Sequence, residues 1–427
     1  MRLLILGNGV SGRGATRLAT RLGHDVVVYD RDPACVADLE LTTHHGDWQS
    51  EWFAGVDTVI ASPGIPEHAE PIVEALRAGI PVWGELEFAA RHLDLPLVAV
   101  TGTNGKTTVT TVIGDMLAAS GLRATTAGNI GTALTDFVGS EADVIVVEAS
   151  SFQLRFIDQF VPNVAVLLNI APDHLDWHQT FEAYRAAKAN LVRNADSSVP
   201  LIFDADDAEA SLIARTASTT PIPVSGIQRS VDGWGVDGDR FILPGMELSM
   251  DRLPVGDPAF LLDLAAAGAA ALAAGGDVEA VARTIEAFEP TTHRRTLVGS
   301  WNGVAWVNDS KATNPHSALA ALDAYPSVVV IAGGRNKDLD VAPIAQHRNV
   351  RAVVAIGEAG PDILAAATVP SKGAGSMTEA VSIARGFARS GDTVLLAPGC
   401  ASFDMFDSYA HRGDTFRQAV LDQEEGE

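Results

Sequence analysis

Short apolar runs recur along the chain, each ending at Gly, Asp or Pro. The first series is 2–6 (RLLIL), 26–29 (VVVY) and 58–61 (TVIA), with amphipathic stretches near 15–22 and 69–78 between them. Runs of that length with helical spacing between them predict β-α-β units and a parallel, doubly wound sheet. A second series opens at 97–100 (LVAV), continues through a predicted helix at 105–119, and adds strands at 143–147 (DVIVV) and 164–168 (VAVLL). A third holds 304–307 (VAWV), 327–332 (SVVVIA), 352–356 (AVVAI) and 393–397 (TVLLA). Residues 218–258, rich in Pro, Gly, Asp and Ser, read as loops with short strands, and 264–276, rich in Ala and Gly, as a close-packing helix. Three consecutive α/β units are expected, with boundaries near 93–96 and 289–292.

The 427 residues suit about three domains at roughly 150 residues each. With 47% hydrophobic and 20% charged residues, several cores can form. Acidic residues outnumber basic ones 54 to 30, a net charge of −24 that makes nucleic acid and anionic lipid poor partners. The 2 cysteines, Cys35 and Cys400, are too far apart in sequence to suggest a disulfide framework or a cysteine zinc site. The segment before Gly7 is short for a signal sequence. No apolar stretch approaches the ~18 residues of a membrane span. A soluble, cytoplasmic, monomeric protein is expected. Of the 30 basic residues five are lysines, at 106, 188, 311, 337 and 372. A general bias toward Arg explains the total. It does not explain the positions kept, since Arg cannot replace a titratable amine.

Three regions carry chemistry. Gly7-Asn8-Gly9-Val10-Ser11-Gly12 follows the first strand, and Asp30 closes the second. This is a turn able to receive a nucleotide phosphate, with an acid placed for a ribose hydroxyl. Ser62-Pro63-Gly64-Ile65 adds a turn at the same edge. Alone, these features also fit an NAD-dependent dehydrogenase or a tight turn without a ligand. Thr101-Gly102-Thr103-Asn104-Gly105-Lys106-Thr107-Thr108 lies between a strand and a helix and reads as an ATP loop, although Val100 replaces the first Gly of the usual pattern. Glu148 ends the strand beside it, where a Mg²⁺ ligand is usual, and Asn129 sits in a Gly-rich turn. Asn169 through His178 crowds Asn, Asp and His onto one loop. Lys188 falls in a predicted helix over 181–193. By spacing alone it is a solvated lysine, yet a neutral amine there could also take up CO₂ as a carbamate, provided it is lowered from ~10.4. In the third unit, His293-Arg294-Arg295, Asn308 through Pro315, Gly333 through Lys337 and Ala397 through Asp404 gather at strand ends. Each alone is an ordinary loop; together they suggest a substrate pocket.

GTNGKTT, EASSFQL, the segment from Asn169 to His178, YRAAKANL, the His293-Arg294 pair and GCASFDMF occur in this order. On these segments the sequence resembles the Mur ligase family, and NDSKATNP points to its D-glutamate-adding branch. The resemblance implies a Rossmann-like N-terminal domain (1–93), a P-loop-type central ATPase (94–291) and a Rossmann-like C-terminal domain (292–427). It implies an ATP-dependent amide ligase joining D-glutamate to UDP-N-acetylmuramoyl-L-alanine through an acyl phosphate. Val10, Ser11, Asp30, Arg31, Ser62, Gly64 and Ile65, with Asn129 and His174, would serve the UDP substrate. Gly102 through Thr108, Arg294 and Asp309 would serve ATP. Lys311, Thr313, Lys337, Ser402 and Tyr409 would hold D-glutamate. Two Mg²⁺ ions would be held among Thr107, Glu148, His174 and carbamylated Lys188, and Lys106, Asn129, Glu148, His174 and Lys188 would carry catalysis. A sister Mur ligase and a folylpolyglutamate synthase-like ligase are the alternatives within this chemistry. Two positions depart from the family pattern. Pro258 through Asp263 replaces a His-Asn…Asn segment, with Asp263 a possible substitute, and Tyr409 stands where Phe is frequent.

Overall fold

The computed structural model describes residues 1–425. The chain divides into two compact units, one of Met1–Ile170 with Trp177–Phe288, the other of Ala171–Asp176 with the chain from Glu289 on.

The first unit carries two sheets. In the smaller, five parallel strands lie in the order Thr42–His45, Asp25–Asp30, Arg2–Leu6, Thr58–Ala61, Val82–Gly84. Strand order reverses at Arg2–Leu6, so a crevice opens beyond the carboxyl ends of Arg2–Leu6 and Thr58–Ala61, where ligands bind in open α/β sheets. The two strands that hydrophobic pattern does not single out, Thr42–His45 and Val82–Gly84, are the edges, short and half-exposed.

The larger sheet has nine strands, with Leu97–Thr101 flanked by Val144–Glu148 and Val164–Leu167. Its far edge, Trp234–Asp237, Arg240–Leu243 and Met246–Ser249, is an antiparallel meander inside the stretch expected to hold short strands. One face is covered by helices Lys106–Ala119 and Pro258–Ala273. The latter begins six residues earlier than its composition suggests, because Asp257 caps it by accepting the Ala259 N–H and Pro258 occupies its first turn. Such a cap contributes about 1 kcal/mol. A Cβ on Gly268 of this helix would lie 2.3 Å from Leu243 Cδ1, so the Leu243 side chain would have to shift to admit one. On the opposite face, helix Phe181–Ala189 tightens into a 3₁₀ turn at Asn190–Val192 instead of running unbroken to 193.

The second unit has one six-stranded sheet ordered Thr296–Trp301, Val304–Asn308, Thr393–Leu396, Val328–Gly333, Val350–Ile356, Ser371–Gly373. All neighbours are parallel except the Thr296–Trp301 edge. Cores of buried Val, Ile, Leu and Ala cover both faces, which explains why these strands read as continuous apolar runs. No helix of the described residues is long and apolar enough to cross a membrane.

Candidate active site

A cavity of about 890 Å³ opens at the switch point of the five-stranded sheet. Val10, Ser11, Asp30, Arg31, Ser62, Gly64, Ile65 and Asn129, all expected to serve one ligand, line it. The turn is shaped by close approach. A Cβ on Gly12 would lie 1.8 Å from the Gly7 carbonyl, and Gly7 itself has φ +82°. Ser62 donates its hydroxyl to the Gly7 carbonyl at 2.8 Å. Asp30 accepts the Asn8 N–H at 2.7 Å, so its carboxylate also braces the loop instead of waiting only for a ribose. Gln153 and Trp48 line the cavity too. Gln153 belongs to a capping box with Ser150, which hides its second role in the sequence.

The ATP loop stands between Leu97–Thr101 and Lys106–Ala119, with Gly105 at φ +87° opening the helix. Lys106 folds back on its own loop, donating to the carbonyls of Gly102 at 2.8 Å and Thr103 at 2.9 Å. Lys188 reaches the same Gly102 carbonyl at 2.6 Å and is 1% exposed, so the solvated-helix reading is wrong. Helix spacing could not show this, because the loop that covers Lys188 is more than 80 residues away in sequence. The loop is held further by Asn169, whose carbonyl accepts from Thr103 N–H and whose side chain accepts from Asn104 N–H. Tyr184 shares a 2.8 Å hydrogen bond with the Thr103 hydroxyl. Asn169 and Tyr184 both lie in segments the sequence already singles out, but their hold on the ATP loop cannot be read without the fold. Asp263 presses on the loop as well: a Cβ on Gly105 would meet its carboxylate at 2.4 Å. Thr108 is buried and Thr107 half-buried in the first turn of the helix.

Glu148 pairs in register with Val100 immediately before the loop and is 2% exposed. Asn129 donates to its Oε1 at 2.7 Å, while Oε2 is buried without a hydrogen-bond partner. A lone buried carboxylate oxygen is costly unless something takes it. A hard divalent cation does so, and Glu148 therefore fits Mg²⁺. Among the described residues no group of three or more His, Cys, Asp or Glu could hold a metal by itself. Hydroxyl, phosphate, water or carbamate oxygens would have to complete the shell. The loop bearing Asn129 is anchored from below by Glu85, whose Oε1 accepts Thr135 N–H at 2.7 Å. Burial pushes the Glu85 carboxyl up to about 7, against the pull of the Thr135 hydrogen bonds.

In the second unit His174 has φ +53°, a backbone conformation uncommon outside glycine and enriched at functional sites. Next to it, Asp173 receives Lys337 at 2.9 Å and the Asn314 amide at 3.0 Å. Burial opposes its charged form, but Lys337, His174 and the hydrogen bonds outweigh burial and hold its carboxyl below the usual range. Lys337 is thus brought against an acid that the expected D-glutamate set did not include. The Lys311 ammonium is 5.9 Å from the centre of the Tyr409 ring, and Ser402 is buried at the start of its turn. Thr313 is half-buried on the loop that also carries Lys311. Asp309 accepts the Arg295 N–H at 3.2 Å, and Arg294 sits in the turn after Thr291. His174 falls with the second unit, whereas Glu148 and Lys188 belong to the first. His178, from the same crowded loop, is 1% exposed, bonded to Ser151 and stacked on Phe152.

Three family profiles match in chain order: Mur ligase MurD-like N-terminal domain over residues 1–84, Mur ligase middle domain over 100–232, and the Mur ligase glutamate ligase domain over 293–400. The chain is 42% identical to the UDP-N-acetylmuramoylalanine–D-glutamate ligase of Frankia casuarinae, over 99% of this chain and 94% of that protein. This chain belongs to the Mur ligase family. The ligase of the same name from Desulfosudis oleivorans is 38% identical over 100% and 97% of the two chains. Solved structures agree in fold. A pseudomurein peptide ligase type C from Methanothermus fervidus superposes with a TM-score of 0.63 at 16% identity, covering 99% of each chain. The UDP-N-acetylmuramate–alanine ligase of Thermotoga maritima gives 0.57 at 17% identity, covering 100% of each. Mur ligase membership removes the dehydrogenase reading of the first glycine turn: that turn belongs to a ligase.

Proposed function

We propose that this chain is the ATP-dependent ligase that joins D-glutamate to UDP-N-acetylmuramoyl-L-alanine in peptidoglycan precursor synthesis, in the cytoplasm. The carrying observation is Asn129: it lines the nucleotide-sized cavity and donates to Glu148 at the ATP loop. One amide thereby joins the place where an acid substrate is held to the place where a phosphoryl group is delivered. The division of labour runs 1–93 for the UDP substrate, 94–291 for ATP and 292–427 for the amino acid.

A carboxylate does not acylate an amine, because its oxygen is a poor leaving group. In the first step the L-alanyl carboxylate oxygen attacks the γ-phosphorus of ATP; a P–O bond to it forms as the bond to ADP breaks. In the second step the D-glutamate amine attacks the acyl carbon. The tetrahedral adduct expels phosphate, the amine loses a proton, and an amide remains. Lys106, already poised on the ATP loop, supplies positive charge to the moving phosphoryl. Thr107 and the free Glu148 oxygen would hold Mg²⁺, which supplies further countercharge when bound. His174 with a carbamate on Lys188 would hold a second ion. The carbamate forms as amine and CO₂ give a carboxylated nitrogen and a proton, and burial of Lys188 on the loop supports a special role for this amine. Lys311, Thr313, Lys337, Ser402 and Tyr409 receive D-glutamate, and Arg294 with Asp309 reaches ATP.

Phosphate release from ATP with UDP-N-acetylmuramoyl-L-alanine tests the reading, with D-glutamate, L-glutamate or a diamino acid added in turn. Release is expected with D-glutamate only. Release with another amino acid makes the chain a sister ligase, and none with any pair refutes a ligase function.

A further inference from the structure

Arg412 heads the largest fully buried side chains among the described residues, at 0% exposure. Its Nε donates to the Ser310 hydroxyl at 3.0 Å, Nη2 to the Ser310 carbonyl at 2.8 Å and Nη1 to the Cys400 carbonyl at 3.0 Å. All these acceptors are neutral, and among the described residues no ion pair includes Arg412. Buried arginines are ordinarily paired with an acid. Arg412 also lies in the first turn of helix Tyr409–Glu425, the end at which the helix dipole disfavours a cation. Burial pushes it down to about 10, with Cys400 and the Asp404 carboxylate acting in the opposite direction. The position carries a double electrostatic penalty, and no carboxylate is in direct contact to offset it.

The guanidinium lies beneath three loops at the carboxyl edge of the six-stranded sheet. Ser310 precedes Lys311 and Thr313. Cys400 precedes Ser402. The third loop, which leads to Lys337, packs so closely that a Cβ on Gly334 would lie 3.2 Å from Nη1. These are the loops assigned above to the amino acid, and one of their cations, Lys337, is already neutralised by Asp173. An acidic amino acid brings two carboxylates and one ammonium. A charge fixed in a low-dielectric interior acts over a longer reach than one in water.

We propose that Arg412 is a positioning and charge-selecting residue for the amino-acid substrate: held by neutral oxygens, its positive charge favours an acidic side chain bound at these loops without touching it. This rests on the assignment of these loops to D-glutamate.

The readout is the ratio of kcat/KM for D-glutamate to that for D-glutamine, a near-isostere without the side-chain charge. Arg412→Met is expected to lower that ratio by about tenfold or more through the KM for D-glutamate, with KM for ATP and the UDP substrate unchanged. Arg412→Lys is expected to keep the ratio even where it slows turnover. Because a change at a buried arginine can unfold the chain, Ser310→Asp provides an independent route. It leaves the guanidinium in place, gives Nε a charged acceptor, and is expected to lower the ratio similarly. Equal losses toward both amino acids in these variants would make Arg412 a structural brace only and overturn the proposal. Lys311→Met and Thr313→Ala serve as controls. If neither raises the KM for D-glutamate, the loop assignment itself fails and the proposal falls with it.

Discussion

Two glycine-rich turns stand at the carboxyl ends of parallel strands in the first unit, and they are braced in opposite ways. The turn at Gly7–Gly12 is tied by a carboxylate, Asp30, and a hydroxyl, Ser62, and it opens into a cavity. The turn at Gly102–Gly105 gathers two lysine side chains, Lys106 and Lys188, on the Gly102 carbonyl. Both present backbone N–H groups at a helix N-terminus, so both can receive phosphate. Only the second places a lysine cation, Lys106, where a phosphoryl group can move. The same local motif therefore serves for holding in one place and for transfer in the other, and the side chains brought in from elsewhere decide which.

The sharpest test of that contrast is Lys106→Met. Phosphate release is expected to fall by roughly 10³-fold, while the UDP substrate still binds in a calorimetric titration. Loss of that binding would show that the two turns are not separable. Lys188 comes next. Lys188→Arg keeps a cation but cannot form a carbamate, and it is expected to lose at least ~100-fold in rate. Lys188→Ala should recover part of that activity when a short carboxylic acid is added. Full activity in the Arg variant would remove the carbamate. On the holding side, Ser62→Ala gives up one hydrogen bond to the Gly7 carbonyl. It is expected to raise KM for the UDP substrate by about fivefold and leave kcat unchanged. A fall in kcat instead would place the first turn in the chemistry.

The smallest effect concerns the anchor of the Asn129 loop. Glu85 titrates near 4.5 when unfolded and at about 7 when folded. Between those values the folded chain binds more protons, so stability declines as pH rises and stays lower above the folded value. Glu85→Gln keeps an acceptor for Thr135 and has no charge to bury. Its melting temperature relative to the natural chain is expected to rise between about pH 5 and about pH 8. A difference independent of pH would show that Glu85 is already neutral, or solvated, throughout that range.

Some of this was legible before any coordinates. Buried parallel strands are near-continuous apolar runs, and a strand followed by glycines and a helix constrains its own backbone, so both central loops and the αβ alternation could be read from spacing. The turn residues at the cavity, Gly7 through Gly12, Asp30 and Ser62 through Ile65, could be listed for the same reason, whereas Arg31 and Asn129 came with the family resemblance and Trp48 and Gln153 only with the fold. Lys188 could not be placed, since burial depends on what covers a helix and the cover is the distant ATP loop. The bracing by Asn169, Tyr184 and Asp263, the acid that meets Lys337, and the unpaired Arg412 were likewise invisible.

The chain alone determined the α/β class, the two glycine turns, the ATP loop and the family to which the segments belong, because each is written within a dozen or so adjacent residues. Tertiary structure alone decided which oxygens each buried cation reaches, which Glu148 oxygen stays free, and which carboxyl loses its ordinary acidity. Those outcomes follow from desolvation and from partners far apart in sequence, and no local pattern records either.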